Sequence, residues 1–137
     1  MPDENLTCPC RAGSEALPYA SCCGRYHAGP LQGLAPTAEA LMRSRYSAFV
    51  LDRLDYLLQT WHVSTRPASL EPNPTGMKWL GLEVRRHVPQ DEDHAIVEFI
   101  ARNKLVGRAY RLHETSRFVR EGGRWFYVDG ETGQKTP

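Results

Sequence analysis

Four cysteines, and no others in the chain, stand within the first 23 of 137 residues: Cys8-Pro9-Cys10, eleven residues, then Cys22-Cys23-Gly24. Thiols this close in sequence pair as disulfides, carry redox exchange or share a metal ion. The spacing is not the Cys-x-x-Cys of thiol exchange at a helix N-terminus. Four soft thiolates complete the tetrahedral shell of a structural zinc site, so the expected state is one Zn2+ held by Cys8, Cys10, Cys22 and Cys23, with iron the alternative ion for the same donor set. Pro9 restricts the turn of the first pair, and Gly24 relieves the bend that adjacent cysteines impose. Such a centre is net negative, and Arg11 and Arg25 beside the ligands can offset it. His27 is close enough to replace one thiolate, although four already suffice.

Residues 1–36 hold every cysteine together with several prolines and glycines, a composition that cannot build an apolar core and needs a staple. Acidic residues stand in the opening Met-Pro-Asp-Glu where a secretory signal carries bases, and no stretch approaches the roughly 20 apolar residues that span a bilayer. The expectation is a cytoplasmic protein with no membrane attachment, where reducing conditions favour metal over disulfides. Seventeen basic against 16 acidic residues give a net charge of +1, too weak a field to recruit nucleic acid.

Residues 37–137 read as a second unit. Thr37 offers a hydroxyl N-cap, Glu39 suits the first turn, and Leu41, Met42, Tyr46, Phe49 and Val50 recur at helical spacing. Asp52 is the expected cap of a second helix carrying Leu54, Leu57, Leu58 and Trp61. After a proline-punctuated loop over 64–76, alternation predicts strands at about 79–88, 94–102, 109–120 and 124–129, an antiparallel meander. A two-residue Gly122-Gly123 turn pairs Glu121 with Arg124, Arg120 with Trp125 and Phe118 with Tyr127. Leu112, Glu114, Ser116 and Phe118 then share a face with Trp125 and Tyr127, the more apolar face and the one expected to meet the helices.

The run from Cys8-Pro9-Cys10 through Gly13-Ser14 to Cys22-Cys23-Gly24 resembles the SEC-C motif, the zinc-binding tail of SecA, with a longer loop between the cysteine pairs. In SecA that knuckle contacts a chaperone, so the resemblance implies a structural or protein-docking module. Ala35-Pro36-Thr37 through Phe49, Thr60-Trp61-His62, Trp79-Leu80-Gly81-Leu82, Val97 to Arg102 and Leu112 to Phe118 extend the likeness to the YchJ-like family. That resemblance implies an α+β fold: an N-terminal SEC-C knuckle, then a cystatin-like or nuclear-transport-factor-2-like cone of helices packed on a curved antiparallel sheet.

Cones of this kind often hold a pocket between sheet and long helix. Its candidate lining here is Arg43, Arg45, Trp61 and His62 from the helical part, with Glu114, Ser116, Trp125 and Tyr127 from the strands. No residue is assigned a catalytic role. A carboxylate among aromatics can bind a small molecule or act as a general base, whereas a Glu114 paired with Arg43 or Arg45 is a structural crosslink. His62 following Trp61 also fits plain packing at a helix end.

Overall fold

Thr37 begins the main helix as its sequence predicts: its Oγ1 accepts from Ala40 N at 3.0 Å, satisfying a free N–H of the first turn. A computed structural model of the chain describes residues 7–11 and 16–132; Gly13 and Ser14 of the cysteine motif lie outside the described residues, as do residues 1–6 and 133–137. The order is two single-turn 3-10 helices at Pro9–Arg11 and Tyr19–Ser21, then α1 (Gly24–His27), α2 (Ala38–Val50), α3 (Leu54–Gln59), β1 (Lys78–Asp91), β2 (His94–Leu105), β3 (Arg108–Glu121) and β4 (Arg124–Thr132). The fold is α+β, as expected. Among the described residues no helix is long and apolar enough to cross a membrane.

Asp52 does not cap α3. Its φ is 55°, a left-handed turn that a short polar side chain tolerates, and Arg53 takes the capping position without a side-chain bond. The Asp52 carboxylate instead accepts from Asn73 N at 2.9 Å and ties down the loop that precedes β1.

The strands form one antiparallel sheet in the order β1-β2-β3-β4. Val106-Gly107 and Gly122-Gly123 adopt left-handed φ at both central positions, matching the twist of the strands they join. The predicted pairs Glu121–Arg124, Arg120–Trp125 and Phe118–Tyr127 are all present. Register then slips by one residue: Arg117 faces Asp129 rather than Val128, and Ser116 faces Gly130. Three further irregularities in β1 add to the bending of the sheet around α2. The backbone of residues 60–62 covers the outer edge of β4, with His62 N donating to Tyr127 O and Tyr127 N to Thr60 O.

Two faces of α2 are buried. Met42, Arg45, Tyr46 and Phe49, at helical spacing, look toward the sheet. Ser44, Ser47 and Arg43 look toward the cysteine segment, where Cys8 Sγ lies 3.4 Å from Ser47 Oγ and Arg43 Nη1 donates to Cys10 O. Core residues from Cys8 through Trp125 belong to one continuous cluster, so the knuckle and the cone share a core.

Candidate functional site

Thr7 and Pro18 form a short antiparallel bridge, and Cys8 N donates to Leu17 O at 2.7 Å, which closes the knuckle loop. The 3-10 turn at Pro9–Arg11 and the start of α1 then bring the two cysteine pairs face to face. All four Sγ atoms lie within 4.8 Å of one another and all four residues are buried. Cys10 and Cys22 Sγ are 3.6 Å apart. That is far beyond a disulfide at about 2.05 Å and near the edge, about 3.8 Å, of a tetrahedron with zinc–sulfur bonds of about 2.3 Å. The donor set and its spacing therefore fit a tetrahedral thiophilic ion.

Electrostatics lead to the same conclusion. Hydrogen bonds with neighbouring thiols, Cys10 first, pull Cys8 down to about 6 and Cys22 lower still. The same neighbours push Cys10 and Cys23 upward, because four bare thiolates cannot be charged together in a buried space. A divalent cation removes that conflict. Arg11 is raised chiefly by its contact with Cys22, and its buried Nε has no partner among the described residues. Arg25 acts on the backbone, with Nε donating to Cys22 O at 2.9 Å.

His27 is not part of the cluster. Its Nε2 donates to Ser44 O at 2.8 Å, which leaves Nδ1 to accept from the Tyr19 hydroxyl. Ser44 Oγ in turn meets the Tyr56 hydroxyl at 2.8 Å. This buried chain joins the knuckle to α2 and α3. Nothing in the linear sequence signals it, because the partners are 17 and 29 residues away from His27.

The second feature is a cavity of about 350 Å³ between α2 and the inner face of the sheet. Of the residues expected there, Arg45, Trp61, Glu114, Ser116 and Tyr127 line it, and Arg43, His62 and Trp125 do not. Arg43 lies on the knuckle face of α2, paired with Glu39 at 3.0 Å. His62 pairs with Glu121 at 3.0 Å on the outside, and Trp125 is buried beneath the Arg120 guanidinium. The pairing of Glu114 with Arg43 or Arg45 is also absent: no ion pair joins them among the described residues. Instead Glu114 Oε2 accepts from Ser116 Oγ at 3.0 Å and Tyr127 Oη at 3.2 Å. Burial and then the adjacent carboxylate push Tyr127 well above its ordinary value, so its hydroxyl stays a donor. Arg45 Nη1 donates to Leu57 O at 2.8 Å and Thr60 Oγ1 at 2.7 Å, and its guanidinium lies 5.0 Å and 4.6 Å from the Trp61 and Tyr127 ring centroids. Asn73 holds the mouth: its Nδ2 donates to Phe49 O, and its Oδ1 accepts from Trp79 Nε1.

Comparison with known proteins matches residues 37–130 to the family model described as YchJ, middle NTF2-like domain. A UPF0225 protein of Bordetella parapertussis is 59% identical over 130 residues, 95% of this chain and 96% of that protein. One from Methylibium petroleiphilum is 64% identical over 126 residues, 92% and 88% of the two chains. Among solved structures, a SEC-C motif-containing protein from Psychrobacter arcticus superimposes with a TM-score of 0.78 at 32% identity, covering 98% of this chain and 86% of the other. Another SEC-C motif-containing protein, from Rhodopseudomonas palustris, gives 0.76 at 30%, with 94% and 100% covered.

Proposed function

Given that this chain belongs to the YchJ-like family, we propose that its four cysteines hold one zinc ion as a structural centre in a cytoplasmic protein. The observation that carries this reading is the convergence of four buried Sγ atoms within 4.8 Å, with no oxygen or nitrogen donor among them. An all-sulfur, closed set suits zinc and leaves no open position for a reacting group. Four unpaired thiols suit a reducing compartment. Of the two roles a SEC-C knuckle can take, holding the fold has the stronger support. The cysteines are buried against α2, and Ser47, Arg43 and Ser44 of that helix engage Cys8, Cys10 and His27. A docking role for a protein partner draws on the exposed Leu31 and Leu34, which follow the knuckle. Elemental analysis of protein purified without added metal tests the main reading. One zinc per chain is the expected result, lost when all four cysteines become serine. Full zinc content in the serine variant, or iron alone in the parent, overturns it.

A further inference from the structure

Besides the exposed Glu71, two charged side chains line the cavity, and the protein satisfies only part of each. Arg45 is 5% exposed, and its hydrogen bonds go through Nη1 to neutral oxygens. Nε and Nη2, the edge that grips a carboxylate with two parallel bonds, donate to no described residue. On Glu114, Oε2 takes both hydroxyl donors and Oε1 accepts from no described residue. Tyr127 stands between the two charges, its ring against Arg45 and its hydroxyl on Glu114. A buried guanidinium with only neutral partners is costly, and the free oxygen of the half-buried Glu114 opens on the cavity.

Glu114 is held there by the backbone. A Cβ at Gly130 would fall 2.7 Å from its Cδ and 2.9 Å from its Cγ, so the carboxylate occupies space that only glycine leaves free. The rest of the wall is mostly apolar and aromatic, with Tyr46, Phe49, Trp79, Phe99 and Phe118 prominent, and the volume is that of a small-molecule site.

We propose that this cavity binds a free amino acid with a large apolar side chain, its carboxylate on Arg45, its ammonium on Glu114 and its side chain among the aromatic rings. A simple amine gains Glu114 but meets the charge of Arg45. A simple carboxylate gains Arg45 but meets Glu114, with Glu71 at the mouth adding to the repulsion. A molecule carrying both charges offers a partner to each of the two half-satisfied groups.

Calorimetric titration of the full-length protein with L-phenylalanine, L-leucine and L-tryptophan tests this, alongside phenethylamine and 3-phenylpropionate. At least one amino acid is expected to bind. For L-phenylalanine, removing either charged group is expected to weaken binding about tenfold or more, the scale of one charge-assisted hydrogen bond. Glu114→Gln is expected to bring L-phenylalanine close to 3-phenylpropionate. Gly130→Ala, which displaces the carboxylate without changing its chemistry, is expected to do the same, with circular dichroism confirming that both variants fold. The proposal is overturned if none of the three amino acids binds, if phenethylamine or 3-phenylpropionate binds as tightly as L-phenylalanine, or if folded Glu114→Gln keeps the full preference for the zwitterion.

Discussion

Gly130 lies opposite Ser116 on the inner face of β4, and its missing side chain gives Glu114 its position. Alanine there would strike the Glu114 side chain along most of its length, forcing it out of reach of Ser116 Oγ and Tyr127 Oη. Overpacking of this kind costs about 1–3 kcal/mol. Gly130→Ala is therefore expected to lower stability by roughly that amount, and Glu114→Ala in the same chain to restore much of it. Urea denaturation of the two single variants and the double variant gives the coupling, and strict additivity would show that the two residues do not meet. Alternation along β3 was enough to read Glu114 and Ser116 onto the inner face. Their partners were not legible. Whether Arg45 or Tyr127 reaches a carboxylate depends on side-chain length and helix depth, which a strand pattern does not encode. The cysteines were legible because their chemistry is local: four soft donors in a short segment have few other uses.

At the scale of elements, the slip between β3 and β4 decides what the cavity contains. An uninterrupted hairpin from Gly122-Gly123 would set Ser116 against Asp129 and turn that carboxylate inward beside Glu114. The extra residue at Val128 rotates Asp129 to the outer face, where Arg117 grips it at 2.7 and 2.6 Å, and leaves Gly130 beneath Glu114. The turn and the first four pairs of this hairpin follow from sequence because a two-glycine loop fixes register. The bulge does not, since nothing in the local pattern of β4 marks the extra residue. Asp129 provides a test with a definite sign. The Arg117 guanidinium holds its carboxyl below the ordinary value of 3.8. The unfolded chain thus takes up the proton first as pH falls, and the pair's contribution is present above about pH 3.8 and fades as pH drops through the lowered folded value. Because both partners are well exposed, the effect is small. Asp129→Asn is expected to be slightly less stable than the parent at neutral pH, and the gap to shrink as pH falls below about 3.8 and through the lowered folded value. A gap in urea midpoint that does not shrink at any acid pH where the protein stays folded would remove the ion pair from the account.

For the whole molecule, composition divides the chain near residue 36, whereas the core runs across that point. Cys8 rests on Ser47, Arg43 reaches Cys10 O, Arg53 reaches His27 O, and His27 lies 4.6 Å from the Tyr56 ring. A sequence shows where residues that cannot make a core are concentrated, but not whether they borrow one from the next segment. Borrowing has a thermodynamic consequence. Structural zinc in zinc-finger peptides binds with apparent free energies of about 10–16 kcal/mol, against a total stability of about 5–15 kcal/mol for a typical domain. If the knuckle were an appendage, stripping its metal would loosen residues 8–27 and leave the cone intact. With a shared core, loss of the proposed zinc is expected to expose the knuckle face of α2, whose buried Ser44 and Ser47 are too polar to repack against one another. Chelation is therefore expected to lower the melting temperature of the entire chain in a single transition. Hydrogen exchange should accelerate along Arg43–Ala48 and around Tyr56 as well as in the knuckle. Loss of protection confined to residues 8–27, with the α2 amides unchanged, would show that the cone stands without its knuckle.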